Sequence, residues 1–362
     1  MCPADPTTSD MASNEPQSVP HPSIYHLADE LGVSASTVSR VLNQRGGIGV
    51  ATRRRVLERA RAAGFRPRMT ARQRTVAVVV DRYQYAAFGG FVPCLLSSLV
   101  QALSKHALAV ELVTEHNRSR LDERLIDGVL AMAWDDATID AVRRLRGDVP
   151  VVTLNRMDVP QFSAVSTDHR RDGEMAVDYL AARGHRRVAM VVEERDNWGS
   201  RQRIEGFVGR LRELGLLAAS EGEQAVVAST EHQPMYGLLR RLLAGTDPRP
   251  TGIFVANENM GLEATYIVRD VLGLRVPQDL SLIGMESPHV SQFLSPPLTA
   301  IAQPLDQLAE RSLSVLLERL DGGRDRDEEP VRVVLQNSLV ERESVGTIPG
   351  AEPLKTQPSR DL

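Results

Sequence analysis

At 362 residues, 42% hydrophobic and 25% charged, the chain is long enough for two or three compact units with a sizeable core. No run of about 18 apolar residues marks a membrane span, so no membrane partner is expected. Its two cysteines, Cys2 and Cys94, support neither a disulfide framework nor a metal site. No P-loop, GxSxG, HExxH or spaced Cys/His set announces a cofactor or a catalytic centre.

The net charge of −4 hides an asymmetry: residues 23–74 hold eleven arginines against Asp29, Glu30 and Glu58, a balance of +8, so the remainder carries −12. A basic segment on an acidic body predicts a polyanion-binding module. Lysine occurs only at positions 105 and 355, so the clustering of arginine carries the information rather than its choice over lysine.

Residues 1–22 lack a basic leader and an apolar segment and are read as a disordered tail, not a secretion signal. Three helices fit next. Ser23 can cap "IYHLADEL", whose Ile24, Leu27, Ala28 and Leu31 share a face and which Gly32 ends. Ser34 can cap "ASTVSRVLN", burying Val38, Val41 and Leu42. "ATRRRVLERARAAGF" follows, with Val56, Leu57, Ala60 and Ala63 on its inner face and Gly64 as its stop.

The tight join at "ELGVS" predicts a helix-turn-helix. With Val38, Val41 and Leu42 inward, Ala35, Ser36, Ser39 and Arg40 face outward. Small, hydroxylated residues let a helix sit deep in a major groove, and a long cation reaches guanine. Any single serine reads equally as a cap or a solvated side chain; it is the constellation with its flanking arginines that points to nucleic acid.

From Thr75 the pattern changes to short apolar runs alternating with amphipathic stretches. "TVAVVV", "LAVELVT", "GVLAMAW" and "VPVVTLN" form one series of strands; "AVSTD", "HRRVAMVVE", "QAVVAST", "TGIFVAN" and "LSLIGME" form a second. Such alternation predicts parallel sheets covered on both faces, here two α/β lobes with a cleft beyond the strands' carboxyl ends. Aromatic residues just past strand ends (Tyr83, Tyr85, Phe88 and Trp134) and Trp198 could present flat faces to a ligand ring or serve as core and lobe-interface residues.

"IYHLADELGVSASTVSRVLNQ" resembles the DNA-binding headpiece of the LacI/GalR (lactose-repressor/galactose-repressor) family of transcription regulators. Further motifs in order, "LAARGHRRVAMV", "SRQRIEGFVGRL", "GIFVANENMGL", "VPQDLSLIGMES", "PPLTAIAQPLDQLAE" and "LVERESVG", resemble that family's periplasmic-binding-protein-like core as far as residue 346.

The resemblance implies a small all-α headpiece (23–67), a short hinge (68–74), and a two-lobed α/β core with two parallel sheets. The N-lobe is expected at 75–162 plus 292–323, the C-lobe at 163–291 plus 324–346, and a disordered tail at 347–362. It places Tyr25, Ser34, Ala35, Ser36, Thr37, Ser39, Arg40 and Asn43 at the DNA, with Ala35 and Ser36 in the main base-reading positions. Both are weak discriminators, so much of the reading is expected to fall on Arg40.

The hinge departs from the family: Arg68 stands where Asn is usual, and Arg72, Gln73 and Arg74 occupy the place of the wedging leucine. The hinge is therefore either short and non-intercalating or replaced by a basic arm, Arg68, Arg72 and Arg74 facing DNA.

For the cleft, the resemblance implies that Arg203 grips hydroxyl or carboxylate oxygens and that Asn257, Glu258 and Glu286 face the effector, both Glu residues replacing Asp. Asn155 could bond a hydroxyl; Asp168 and His169 stand where lobe contact and binding are equally expected. Tyr83, Phe88, Trp134 and Trp198 complete the candidate effector set.

The resulting expectation is a non-enzymatic, cytoplasmic, nucleoid-associated homodimer. It binds pseudo-palindromic double-stranded operator DNA, acts as a repressor, and answers to a sugar or sugar-derived effector. A glycosidase-like pairing of Glu258 with Glu286 is the rival reading, an exported transport-type binding protein the other.

Overall fold

The computed structural model describes all residues except 1–22, 43–46, 64, 66–73, 83–89, 107, 124, 146–148, 218–224, 229–233, 245–247, 322–328 and 351–362. The chain divides into two units, residues 1–72 and 73–362. The hinge positions Arg68 and Arg72, and Asn43 of the headpiece, lie outside the described residues, as do Tyr83, Tyr85 and Phe88.

The first unit holds α1 (Ile24–Leu31), α2 (Ala35–Leu42) and α3 (Val50–Ala62). Ser23 Oγ caps α1 by accepting from His26 N at 3.2 Å, and Gly32 ends it in the left-handed region at φ +64°. Leu27, Ala28, Val38, Val41, Leu42, Val56, Leu57 and Ala60 are buried between the three helices. Ala63 is the C-cap of α3 rather than part of its inner face. Part of the basic charge is used inside the module: Arg59 Nε donates to Glu30 at 2.5 Å and Arg55 Nη2 to the Leu31 carbonyl at 3.1 Å, both tying α3 to α1.

The second unit contains two six-stranded sheets. The first is built from β1 (Thr75–Val80), β2 (Ala109–Thr114), β3 (Gly128–Met132), β4 (Val151–Leu154), β5 (Ser163–Thr167) and β11 (Arg332–Leu335), in the order β11-β5-β4-β3-β1-β2. Helices α4 (Phe91–Ser104), α5 (Arg120–Glu123), α6 (Asp136–Arg143) and α11 (Leu305–Asp321) accompany it. Val76, Val78 and Val80 pack with Leu95 and Leu99 of α4 and Leu308, Leu313 and Leu316 of α11 on one face, while Ala77 and Val79 pack with Ala141 and Val142 of α6 on the other.

The second sheet, β12-β10-β9-β8-β6-β7, comprises β6 (Val188–Val192), β7 (Val226–Ala228), β8 (Gly252–Val255), β9 (Ser281–Met285), β10 (Thr299–Ala302) and β12 (Ser338–Val340). It carries α7 (His169–Ala182), α8 (Trp198–Glu213), α9 (Met235–Ala244) and α10 (Glu258–Tyr266). Among the described residues every ladder is parallel except β10 with β12, where Ala300 faces Val340 in antiparallel register, so this sheet has an antiparallel edge.

Strand pairing moves the expected lobe boundaries. β5, expected in the C-lobe, pairs with β4 (Thr153 opposite Ala164) and belongs to the N-lobe sheet. β10, expected in the N-lobe, pairs with β9 (Thr299 opposite Ile283) and belongs to the C-lobe. The segment 324–346, expected in the C-lobe, serves both sheets: β11 pairs with β5, β12 with β10. The chain still crosses between lobes three times: after Thr167, around Gln303 and around Asn337. The presumed tail also starts later, since Ile348 N donates to the Arg183 carbonyl at 2.9 Å.

Candidate functional site

On α2, Ser36 and Arg40 are exposed and Ala35, Thr37 and Ser39 half-buried, while Tyr25 on α1 is 69% exposed. Ser34 does more than cap. Its Oγ accepts from Thr37 N at 3.1 Å and also lies 2.8 Å from both Ser36 Oγ and Thr37 Oγ1, so three hydroxyls at the front of the helix are held in one hydrogen-bonded group. Arg40 runs beside Gly47, where a Cβ would sit 2.9 Å from Arg40 Nη2 and φ is +87°. Arg74, expected at DNA, opens the second unit, its Nη1 paired with Asp321 at the end of α11 at 2.5 Å.

Between the lobes of the second unit lies a cavity of about 220 Å³. Trp134, Asn155, Arg203, Asn257 and Glu258 all line it, joined by Arg82, Phe91, His169, Glu193, Asn259 and Gln303. Each is placed by local structure. The buried Asp81 carboxylate, at the end of β1, accepts from the backbone N–H groups of Trp134 and Asp135, both at 2.8 Å, and fixes the turn that carries Trp134. Burial pushes Asp81 up to about 6 against those two donors. Trp134 meets Phe91, the first residue of α4, edge to face with centroids 6.0 Å apart. Asn155 turns out of β4 at φ +53°, its Oδ1 accepting from Thr167 N at 2.9 Å.

Gln303, on the second crossing, links the lobes: Asn155 Nδ2 donates to its Oε1 at 2.7 Å, and its Nε2 approaches Glu258 Oε1 at 3.4 Å. Glu258 opens α10, whose N-cap is Asn257; Asn257 Oδ1 accepts from Met260 N at 3.0 Å while its Nδ2 donates to Glu193 at 3.2 Å. Burial raises both Glu258 and Glu193 above the ordinary carboxylate range.

Arg203, in the second turn of α8, donates Nε to Asp172 at 3.0 Å, and Asn337 of the third crossing donates to the other oxygen of Asp172 at 2.5 Å. Burial works to raise Asp172, but His169, Arg203 and Asn337 together hold it below its usual value. The same burial, reinforced by Arg203, lowers His169 against the pull of Asp172 and Asp168. Two ion pairs span the lobes at the rim: Arg82 Nη2 with Glu194 at 2.6 Å and Arg201 Nη2 with Asp158 at 3.1 Å.

Two expected cleft residues sit elsewhere. Glu286 is gripped by the Arg342 fork, Nη1 to Oε2 at 2.7 Å and Nη2 to Oε1 at 2.9 Å, and does not line the cavity. Arg342 lies 56 residues away, just past β12. The pair therefore braces the C-lobe, and Glu286 shares no cavity with Glu258 as an acid/base couple would require. Trp198 does not line the cavity either; it packs edge to face on His169 at 5.3 Å. Arg82 and Glu193 were missed although each lies just beyond a strand end, the rule that singled out Trp134; Gln303 was missed because β10 was not read as a strand.

A family model for "Bacterial regulatory proteins, lacI family" matches residues 23–68, and one for "Periplasmic binding protein-like domain" matches residues 177–345. The HTH-type transcriptional regulator CelR of Thermobifida fusca is 30% identical over 343 residues, covering 89% of this chain and 98% of that protein. MalR of Streptomyces coelicolor, also an HTH-type transcriptional regulator, is 30% identical over 342 residues, 90% and 96% of the two chains.

Among solved structures, the CelR–cellobiose complex aligns with a TM-score of 0.65 at 28% identity, covering 89% of this chain and 99% of that one. The lac repressor dimer bound to operator and the anti-inducer ONPF shares the fold, with a TM-score of 0.64 at 22% identity over 90% and 99%. With a helix-turn-helix unit, a two-lobed core and relatives matched along nearly their full length, this chain belongs to the lacI family of bacterial DNA-binding transcription regulators.

Proposed function

We propose that this regulator is a cytoplasmic, non-enzymatic repressor that binds a pseudo-palindromic operator as a homodimer, its operator affinity set by a small carbohydrate-like effector held between the lobes. The observation that carries the proposal is the cavity itself. Polar side chains from both lobes and from the crossing at Gln303 converge there around two aromatic faces, an arrangement suited to ring hydroxyls and a ring face. CelR complexed with cellobiose and the lac repressor dimer bound to operator support the reading. On α2, Ala35, Ser36 and Arg40 are the residues assigned to base edges, with Tyr25, Ser34, Thr37, Ser39 and Asn43 completing the DNA contact and Arg68 and Arg72 assigned to a basic arm facing DNA.

An effector moves DNA affinity only by its differential affinity for the two closure states, typically about 1–3 kcal/mol of coupling. Native mass spectrometry of the purified chain identifies a co-purifying ligand, and fluorescence anisotropy on an operator duplex selected from a random pool measures affinity with and without it. Arg203→Ala is expected to abolish the response and leave unliganded DNA affinity intact. A normal response in that variant refutes the cleft assignment, and no preference for any duplex over random competitor refutes the whole proposal.

A further inference from the structure

Among the described residues, the charges lining the cleft do not balance. Two cations, Arg82 and Arg203, face three carboxylates, Glu193, Glu258 and Glu263, and both cations already have acidic partners outside the lining, Glu194 and Asp172. Glu258 is only 9% exposed, and among the described residues the side-chain hydrogen bond it accepts is the long one from the Gln303 amide at 3.4 Å, with Arg203 acting on it only at longer range. Glu193 accepts from the Asn257 amide at 3.2 Å, with Arg82 acting on it only at longer range. Buried carboxylates that outnumber their cations are costly, and an incoming positive charge offsets that cost.

Independent features point to a ligand at the same place. Among the described residues His169, 3% exposed and lining the cavity, has no hydrogen-bond partner at Nε2, and the buried Oδ1 of Asn259 also lacks one. On the N-lobe wall Trp134 and Phe91 offer the aromatic faces to which cations are attracted.

We infer that the effector carries a protonated amine on a polyhydroxylated ring of monosaccharide size, the amine seated between Glu258 and Glu193 and the ring against Trp134 and Phe91. This rests on the reading of the cleft as the effector site. The volume of about 220 Å³, below the ~300–1,000 Å³ usual for ligand pockets, takes a single ring. Hydroxyls at the far end meet the Nη groups of Arg203 and the open nitrogen of His169. A sugar acid would set its carboxylate against Glu193 and Glu258 wherever it did not reach Arg203.

Isothermal titration calorimetry on the full chain with matched sugars tests this: glucosamine, glucose and glucuronate, with the galacto and manno counterparts of each. In at least one configuration the amine is expected to bind tenfold or more tighter than its neutral parent, the uronate showing no detectable binding. Glu258→Gln and Glu193→Gln are each expected to pull the amine-to-neutral ratio toward one.

A neutral sugar that binds as tightly as its amine, or a uronate that binds tightest, overturns the inference while leaving the cleft a carbohydrate site. A ratio unchanged in both variants overturns the seat assigned to the amine. If none of the sugars binds, the carbohydrate reading of the cleft falls, and the inference with it.

Discussion

The position of Arg203 depends on two glycines where α7 and α8 cross, and this yields the sharpest test of how the cleft is built. A Cβ at Gly206 would lie 2.0 Å from the Arg170 carbonyl oxygen, and one at Gly173 would lie 2.2 Å from the Arg203 carbonyl oxygen. Both obstacles are backbone, so no side-chain rotation relieves them. Restoring an ordinary contact of about 3.4 Å in Gly206→Ala requires α8 to retreat by roughly 1.4 Å. Arg203 sits one turn earlier on the same helix, and that retreat stretches its 3.0 Å bond to Asp172 past hydrogen-bonding range.

The expected cost combines roughly 1–3 kcal/mol of overpacking with roughly 3–5 kcal/mol for a buried carboxylate that loses its cation. A loss of about 4 kcal/mol is therefore the lower end. Gly209→Ala is the internal control, because its Cβ would meet only Arg170 Nη2 at 3.9 Å; it is expected to be neutral or to stabilise by about 0.5–1 kcal/mol. Urea unfolding followed by tryptophan fluorescence reads both, since the chain's two tryptophans, Trp134 and Trp198, flank the cleft region. Equal midpoints for the two variants would refute this account of the helix crossing.

Asp81 makes stability depend on pH. Its folded value of about 6 lies above the ordinary 3.8, so folding takes up a proton between about pH 4 and 6, and this residue's contribution falls as pH rises through that window. Relative to wild type, Asp81→Asn is therefore expected to gain up to ~3 kcal/mol between pH 4 and 7, and parallel pH profiles in urea melts would contradict it. Arg342→Ala strands Glu286 with no cation and is expected to cost about 3–5 kcal/mol; a change under ~1 kcal/mol in chemical unfolding would deny the brace. Arg40→Ala is expected to weaken operator binding by about 1–3 kcal/mol and to relax preference at one base pair, which a binding-site selection with the variant measures; an unaltered selected motif would count against Arg40 as a base reader.

What the sequence disclosed divides along a physical line. Features set by neighbours in the chain were legible: Ser23 and Ser34 as caps, Gly32 as a left-handed stop, Val38, Val41 and Leu42 as the inner face of α2. Strands also announced themselves, because a strand buried on both faces reads as an unbroken apolar run such as Thr75–Val80. Membership of a sheet did not, since an apolar run does not name its partner; β5 falls in the wrong lobe for that reason, and neither series of apolar runs includes β10. Glu286 failed in the same way, its role being decided by an arginine 56 residues distant. Within the cavity, Trp134, Asn155, Arg203, Asn257 and Glu258 were legible through strand ends and resemblance, whereas Gln303 acquires meaning only from where the chain crosses.

That crossing joins ligand chemistry to lobe geometry. Gln303 accepts from Asn155 on the N-lobe and donates toward Glu258 on the C-lobe, and Asn337 on the third crossing donates to Asp172, the carboxylate that holds Arg203. A molecule that claims an oxygen of Glu258 competes with the Gln303 amide, and one that claims Arg203 loads the Asp172–Asn337 contact. The cavity residues Asn155 and Glu258 are thus bonded to a residue of the second crossing, and Arg203 reaches the third through Asp172. If the lobes reorient about these crossings, an occupant that favours one arrangement of Gln303 and Asn337 favours one closure state. Coupling by this route would need no long relay through the sheets: it would start at side chains that touch both the cavity and the crossings.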